Sequence, residues 1–196
     1  MLQKLSIIYF ILILTLSFQL LTGQNEKKPE INVVYGEKHI FTIATPINWI
    51  NDKELAQKIG LVCFFYPNKD KIQNKKNYFY ANGIDKDSLN ETLTDFVNGD
   101  LEKFRNKYPD LTFEKVPVEF TDGIRNGVLY SFSNLTDRFK EEVIYAETDD
   151  AFLIFSFAAM TDKDYEDYQA VFDKFIASFK YRGNNPKPFI DYLKRR

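Results

Sequence analysis

His39 is the only histidine and Cys63 the only cysteine of the 196-residue chain. A multi-histidine metal centre is therefore excluded, and any Ser-His or Cys-His catalysis would depend on one imidazole. His39 follows Lys38 at the start of a β-like run, and no Gly-x-Ser-x-Gly nucleophile turn occurs anywhere. It reads as a strand-edge residue. Cys63 sits inside the apolar run Leu61-Val62-Cys63-Phe64-Phe65-Tyr66, so it reads as a buried structural thiol with no internal disulfide partner.

The acidic residues offer three further groupings. Asp162, Asp164, Glu166 and Asp167 would suit a hard cation by density, but the calcium-loop pattern lacks its glycine and distal glutamate. Their place in the first turn of an expected helix explains them, because negative charge complements the exposed N–H groups there. Glu141-Glu142 would be a general acid and base if they met, yet neighbours on a strand point to opposite faces. Asp149-Asp150 reads as turn chemistry.

The exposed candidate is a loop from Asn68 to Asn77 with Lys69, Lys71, Lys75 and Lys76. It joins two aromatic-rich strands, so a docking partner would meet the charge of those lysines beside the rings of Tyr78 and Tyr80. These six residues are the candidate partner-binding set. Aromatic residues make up 16% of the chain, which is enough to leave some rings over for a rim after the core is filled; Tyr165 and Tyr168 are further such rings. Asn90-x-Thr92 and Asn134-x-Thr136 match glycosylation acceptors in a eukaryotic source.

The elements that must position these residues follow from periodicity. Ala151 to Met160 is almost unbroken apolar sequence, the mark of a strand covered on both faces, and is expected at the centre of the sheet. Tyr165, Tyr168, Phe172, Phe175, Ile176 and Phe179 then recur at helical spacing and predict a covering helix. Upstream, two β-like runs flank Gly36. A short helix is expected from Asp52 to Ile59, stopped by Gly60, followed by strands at Leu61–Tyr66 and Tyr78–Ile84. Ser88 and Glu91 have capping-box spacing before a stripe of Leu89, Leu93, Phe96, Val97, Leu101 and Phe104, which predicts a helix ending before Pro109. Leu111–Phe113 and Val116–Phe120 alternate in opposite phase, predicting a bulge near Glu114 or Lys115, and Pro117 assigns that strand to an edge. Val128–Ser133, Phe139–Thr148 and the central strand predict an antiparallel meander.

Met1 to Gly23 carries one early charge, Lys4, then an apolar run from Leu5 to Leu21, in the order of a secretory signal peptide. Gln24 stands where a lipoprotein box needs cysteine, so a lipid-free mature chain beginning at or near Gln24 is expected. Gln24 to Glu30 is a polar, mobile leader. Residues 31–181 form a single domain, and residues 182–196 a tail after Gly183-Asn-Asn-Pro186-Lys-Pro188. The formal charge of −2 gives no electrostatic case for nucleic acid.

Phe41-Thr-Ile43 running into Pro46-x-x-Trp49, and Phe175-Ile176-Ala-Ser178-Phe179-Lys180-Tyr181 near the end, resemble the PsbP-like superfamily, the PsbP and DcrB type of α/β/α sandwich. The resemblance spans about Ile31 to Tyr181. It implies an α+β fold, an α/β/α sandwich with a largely antiparallel meandering sheet and two principal helices. It also implies a binding, assembly or accessory role, with no catalytic, cofactor or metal residue carried over. The expected function is an exported, non-enzymatic binding or assembly module of the cell envelope. Its partner would be another envelope or secreted protein, with no cofactor and no stable transmembrane segment after processing. The alternative is a secreted or periplasmic enzyme of hydrolase type, with a site assembled from residues distant in sequence.

Overall fold

The computed structural model describes residues 28–68, 77–120, 123–193 and 195. The expected signal peptide, most of the leader, and Lys69, Lys71, Lys75 and Lys76 lie outside the described residues.

Strand β9 (Ala151–Ala159) is buried at every position. It is fourth of seven in an antiparallel sheet of order β3-β4-β5-β9-β8-β7-β6. The flanking strands are β3 (Trp49–Asn51), β4 (Cys63–Pro67), β5 (Tyr78–Asp85), β6 (Thr112–Pro117), β7 (Asn126–Ser133) and β8 (Lys140–Glu147). Because successive side chains alternate between faces, β9 feeds two cores. Leu153, Phe155 and Phe157 pack with Phe172 and Phe175 of α3 (Asp162–Ala177). Phe152 and Ile154 pack on the other face with Leu93, Val97 and Leu101 of α2 (Leu93–Lys107). Complete burial of such side chains contributes roughly 1.5–3 kcal/mol each, so this continuous strand organises both layers.

A second sheet of three strands, β1 (Ile31–Tyr35), β2 (Ile40–Ala44) and β10 (Lys180–Gly183), runs β1-β2-β10. Its Val34, Phe41 and Ile43 complete the α3-side core. Two short helices, α1 (Lys53–Lys58) and α4 (Lys187–Leu193), complete the set. Asp52 caps α1 by accepting from the Leu55 amide at 2.9 Å, and Gly60 follows at φ +76°, a left-handed conformation that glycine adopts without a Cβ penalty.

Two expectations are corrected. The cap of α2 is Thr92, whose hydroxyl accepts from the Asp95 amide at 3.2 Å. Ser88 instead accepts from Asn90 in a preceding turn, Glu91 reaches the Asp87 amide, and Leu89 is 79% exposed rather than on the helix stripe. The second correction concerns β6, which pairs with β7 without a register shift from Thr112↔Ser133 to Pro117↔Val128. No bulge is needed, because every residue of this edge strand is exposed and neither face imposes a hydrophobic phase.

Candidate functional site

Between α2 and the sheet lies a cavity of about 260 Å³. Tyr78 and Tyr80 of β5 and Glu141 of β8 supply its sheet side, while Asp100, Lys103, Phe104 and Lys107 of α2 supply the other. Tyr108, just past the helix, and Arg138, just before β8, complete the lining. The strand alternation that sends Phe79 and Ala81 into the α3-side core sends Tyr78 and Tyr80 to this one. These two candidate partner-binding residues are thus half-buried walls of a pocket rather than an open rim, and their rings lie 6.4 Å apart.

Arg138 is the hub. Its Nε and Nη2 donate to the two oxygens of Asp137 at 2.8 and 3.0 Å, and Nη1 donates to Glu141 at 2.7 Å and to the Tyr78 hydroxyl. Nη2 also donates to Tyr108 at 3.3 Å. All five guanidinium N–H groups are therefore engaged. Burial works against its charge, and the bonds to Asp137 and the charge of Glu141 outweigh that cost and hold its pKa above the ordinary arginine range. Burial also pushes Glu141 upward, opposed by Arg138 and by Ser156, whose hydroxyl donates to Glu141 at 2.9 Å. Asp137 is held well below the usual carboxylate range by Arg138, against a smaller upward push from burial, with Tyr108 and Lys107 adding to the effect. At the helix, Lys103 lies 3.6 Å from Asp100 and Lys107 3.1 Å from Asp137. Asp100 also accepts from the buried Tyr145 hydroxyl at 2.7 Å. Each charge around the cavity already has an opposite neighbour, so the arrangement can present fixed donors, acceptors and aromatic walls to a ligand without reorganising.

His39 has the look of half a catalytic triad and the surroundings of a structural residue. Its Nδ1 meets Asp85 at 2.7 Å, and Asp85 also accepts from the Glu37 and Lys38 amides at 2.7 and 3.0 Å. Burial raises the Asp85 pKa, and these three bonds outweigh it and hold the carboxyl below its ordinary value. The ring is 1% exposed, and a Cβ on Gly83 would collide with Nε2. A general base must reach the proton it removes. Here no substrate fits beside Nε2, and the contact instead latches the β1–β2 hairpin onto the end of β5.

The remaining candidates are separated. Glu141 faces the cavity, and Glu142, on the opposite face, accepts from Tyr165 at 2.6 Å. Asp164 closes the α3 cap with Thr161, whose hydroxyl accepts from its amide at 3.1 Å and donates to its carboxylate at 2.8 Å. Among the described residues, no group of three or more His, Cys, Asp or Glu could hold a metal ion. Cys63 is buried, and desolvation pushes its thiol up to about 12. Tyr168 packs against Trp49 at 5.2 Å in the core. Lys86 and Glu147 form a buried pair at 2.6 Å, with Asn126 donating to Glu147 at 3.0 Å. A larger depression of about 520 Å³ near Ile47, Trp49 and Val171 is mainly apolar and brings together no charged pair.

Of the residues that line this cavity, the sequence singles out Tyr78 and Tyr80 but not Arg138, Tyr108, Asp100 or the cavity position of Glu141. The available signal was Arg138-x-x-Glu141 leading into a strand, with Glu141 among positions that alternation buries.

No protein-family model matches the chain, and no curated protein matches it. Among solved structures, the chain is similar to the solution structure of cyanobacterial PsbP (CyanoP) from Synechocystis sp. PCC 6803. The TM-score is 0.55 at 10% identity, covering 82% of this chain and 98% of that chain. At that identity the likeness shows the fold alone, and the fold is PsbP-like. No helix among the described residues is long and apolar enough to cross a membrane.

Proposed function

We propose that this protein is an exported, non-enzymatic binding or assembly module of the cell envelope, and that it binds through the cavity under α2 and the adjoining lysine loop. The observation that carries this reading is the closed charge network around Arg138. Its charged groups are committed to one another at 2.7–3.6 Å rather than poised as a free acid, base or nucleophile. Such a network fixes the shape of a recognition surface, as preorganised sites do. The leader-like residues 1–23 favour export. Lys69, Lys71, Lys75 and Lys76 precede Tyr78 closely in the sequence, and their charge would steer an acidic partner protein to the loop, beside the ring-binding cavity.

Affinity capture of the chain lacking residues 1–23 from its own envelope extract tests this reading. A defined envelope or secreted component should co-purify. Replacing the four lysines together by Ser should slow its association and weaken the salt dependence, with thermal stability unchanged. A folded bait that recovers nothing above control rejects the binding reading. Unaltered association of the lysine variant at low salt removes the loop from the site.

A further inference from the structure

Resting on the reading of the α2 cavity as a binding site, we infer that it takes a neutral, polyhydroxylated ring: a saccharide unit of a glycan. Charge is the first ground. The cations Lys103, Lys107 and Arg138 stand against the carboxylates Asp100, Asp137 and Glu141, at 3.6, 3.1 and 2.7 Å. With Asp137 counted from just outside the lining the formal charges cancel, so the site carries no net charge to concentrate an anion or a cation. An acidic peptide or an anionic headgroup would meet Lys103 and Lys107 beside Asp100 and Asp137, the carboxylates that already stand against them.

Hydrogen-bonding capacity is the second ground. The Tyr78 hydroxyl accepts from Arg138, so its own O–H remains to donate, and desolvation keeps that proton on by raising the phenol above its ordinary value. The Lys103 ammonium is 79% exposed and has two further N–H groups beyond the one aimed at Asp100. Asp100 retains lone pairs beyond those used by Tyr145 and Lys103. The cavity therefore offers both donors and acceptors, as a ring of hydroxyls requires, since each hydroxyl both gives and accepts.

Shape is the third. Tyr80 and Phe104 give aromatic walls on opposite sides, suited to the C–H faces of a pyranose. The volume of about 260 Å³ falls just below the roughly 300–1,000 Å³ of pockets for drug-sized ligands. That space holds one or two rings rather than a folded peptide segment.

The test uses the chain lacking residues 1–23 on a printed array of neutral and acidic oligosaccharides. The strongest neutral oligosaccharide is then titrated by NMR against 15N-labelled protein, alongside benzoate and a hepta-glutamate peptide. The proposal expects shifts centred on Tyr80, Lys103 and Phe104. Affinity for the saccharide should change less than about twofold between low and high salt, because a neutral ligand is not screened. Tyr80→Leu should abolish detectable binding while its thermal midpoint confirms folding. Salt-sensitive binding of an acidic glycan, benzoate or hepta-glutamate at the same residues overturns the neutral-saccharide assignment while leaving a binding module in place. No shift at these residues with any probe overturns it too, and the envelope capture experiment then decides independently whether the wider binding reading stands.

Discussion

Arg138 is held by Asp137, Glu141, Tyr78 and Tyr108, so its removal leaves the Glu141 carboxylate, 4% exposed, without its cation. Breaking one side of a buried pair costs about 3–5 kcal/mol, whereas replacing both sides by apolar groups of similar size is often close to neutral. Arg138→Met should therefore destabilise by that amount in urea unfolding, and Arg138→Met combined with Glu141→Leu should recover most of it. Equal destabilisation of single and double variants would show that the packing of the guanidinium, not its charge, holds this corner. The same residues illustrate why the candidate site is only partly legible in the sequence. Tyr78 and Tyr80 announce themselves by alternation, but Arg138 sits in an irregular Thr-Asp-Arg stretch and Asp100 among ordinary helix-surface charges. Their meeting depends on how α2 crosses β5 and β8, which no local spacing encodes.

At the scale of elements, legibility follows burial. β9 and α3 were readable because two covered faces demand apolar residues at every strand position and at every third or fourth helix position. Phe155→Ala or Phe172→Ala, at residues buried to within 2%, should cost about 3–5 kcal/mol in urea unfolding. An unchanged denaturant midpoint would contradict the packing of α3 on β9. The start of α2 was misread because Ser88 and Thr92 stand one turn apart and both precede an acidic residue by three positions. Their hydrogen bonds, from the Asp95 amide to Thr92 and from the Asn90 amide to Ser88, and the placement of Leu89 in solvent separate them. Thr92→Ala should therefore lower stability by about 1 kcal/mol, the usual loss for an N-cap hydroxyl. Ser88→Ala should shift the thermal midpoint far less, and the reverse ranking would restore Ser88 as the cap. Strand β6 was misread for the opposite reason: an edge with both faces in water leaves Phe113 and Val116 free to fall in different phases.

For the molecule as a whole, the carboxylates predict the response to acid. Asp85, Asp137 and Glu147 all titrate below their ordinary values in the fold, burial being outweighed at Asp85 and Glu147 by bonds to His39 and Lys86, and Asp137 being held mainly by Arg138. A depressed folded pKa adds stability above the unfolded value, lost as pH falls through the folded one. Unfolding free energy should thus decline below about pH 4, the ordinary carboxylate range. Glu141 has the opposite sign: its pKa is raised by burial, so its ionisation costs stability and protonation returns some on the way down. Glu141→Gln should remove that small recovery while keeping the later decline, and flat stability from pH 6 to 3 would refute the pairing of all three carboxylates. The small sheet has a consequence in time. β2 lies between β1, its neighbour in sequence, and β10, whose Arg182 reaches Thr42 across 140 residues. The β7–β8–β9 meander joins neighbours through short turns, whereas the β2–β10 pairing requires the closure of nearly the whole chain, whose entropy must be overcome before the contact rewards it. In pulse-labelled hydrogen exchange during refolding, amides of β7 to β9 should gain protection first and those of β2 last. A chain ending at Phe179 should fold its meander at the normal rate and leave the β1–β2 hairpin fastened by its buried Val34, Phe41 and Ile43 and by the His39–Asp85 latch.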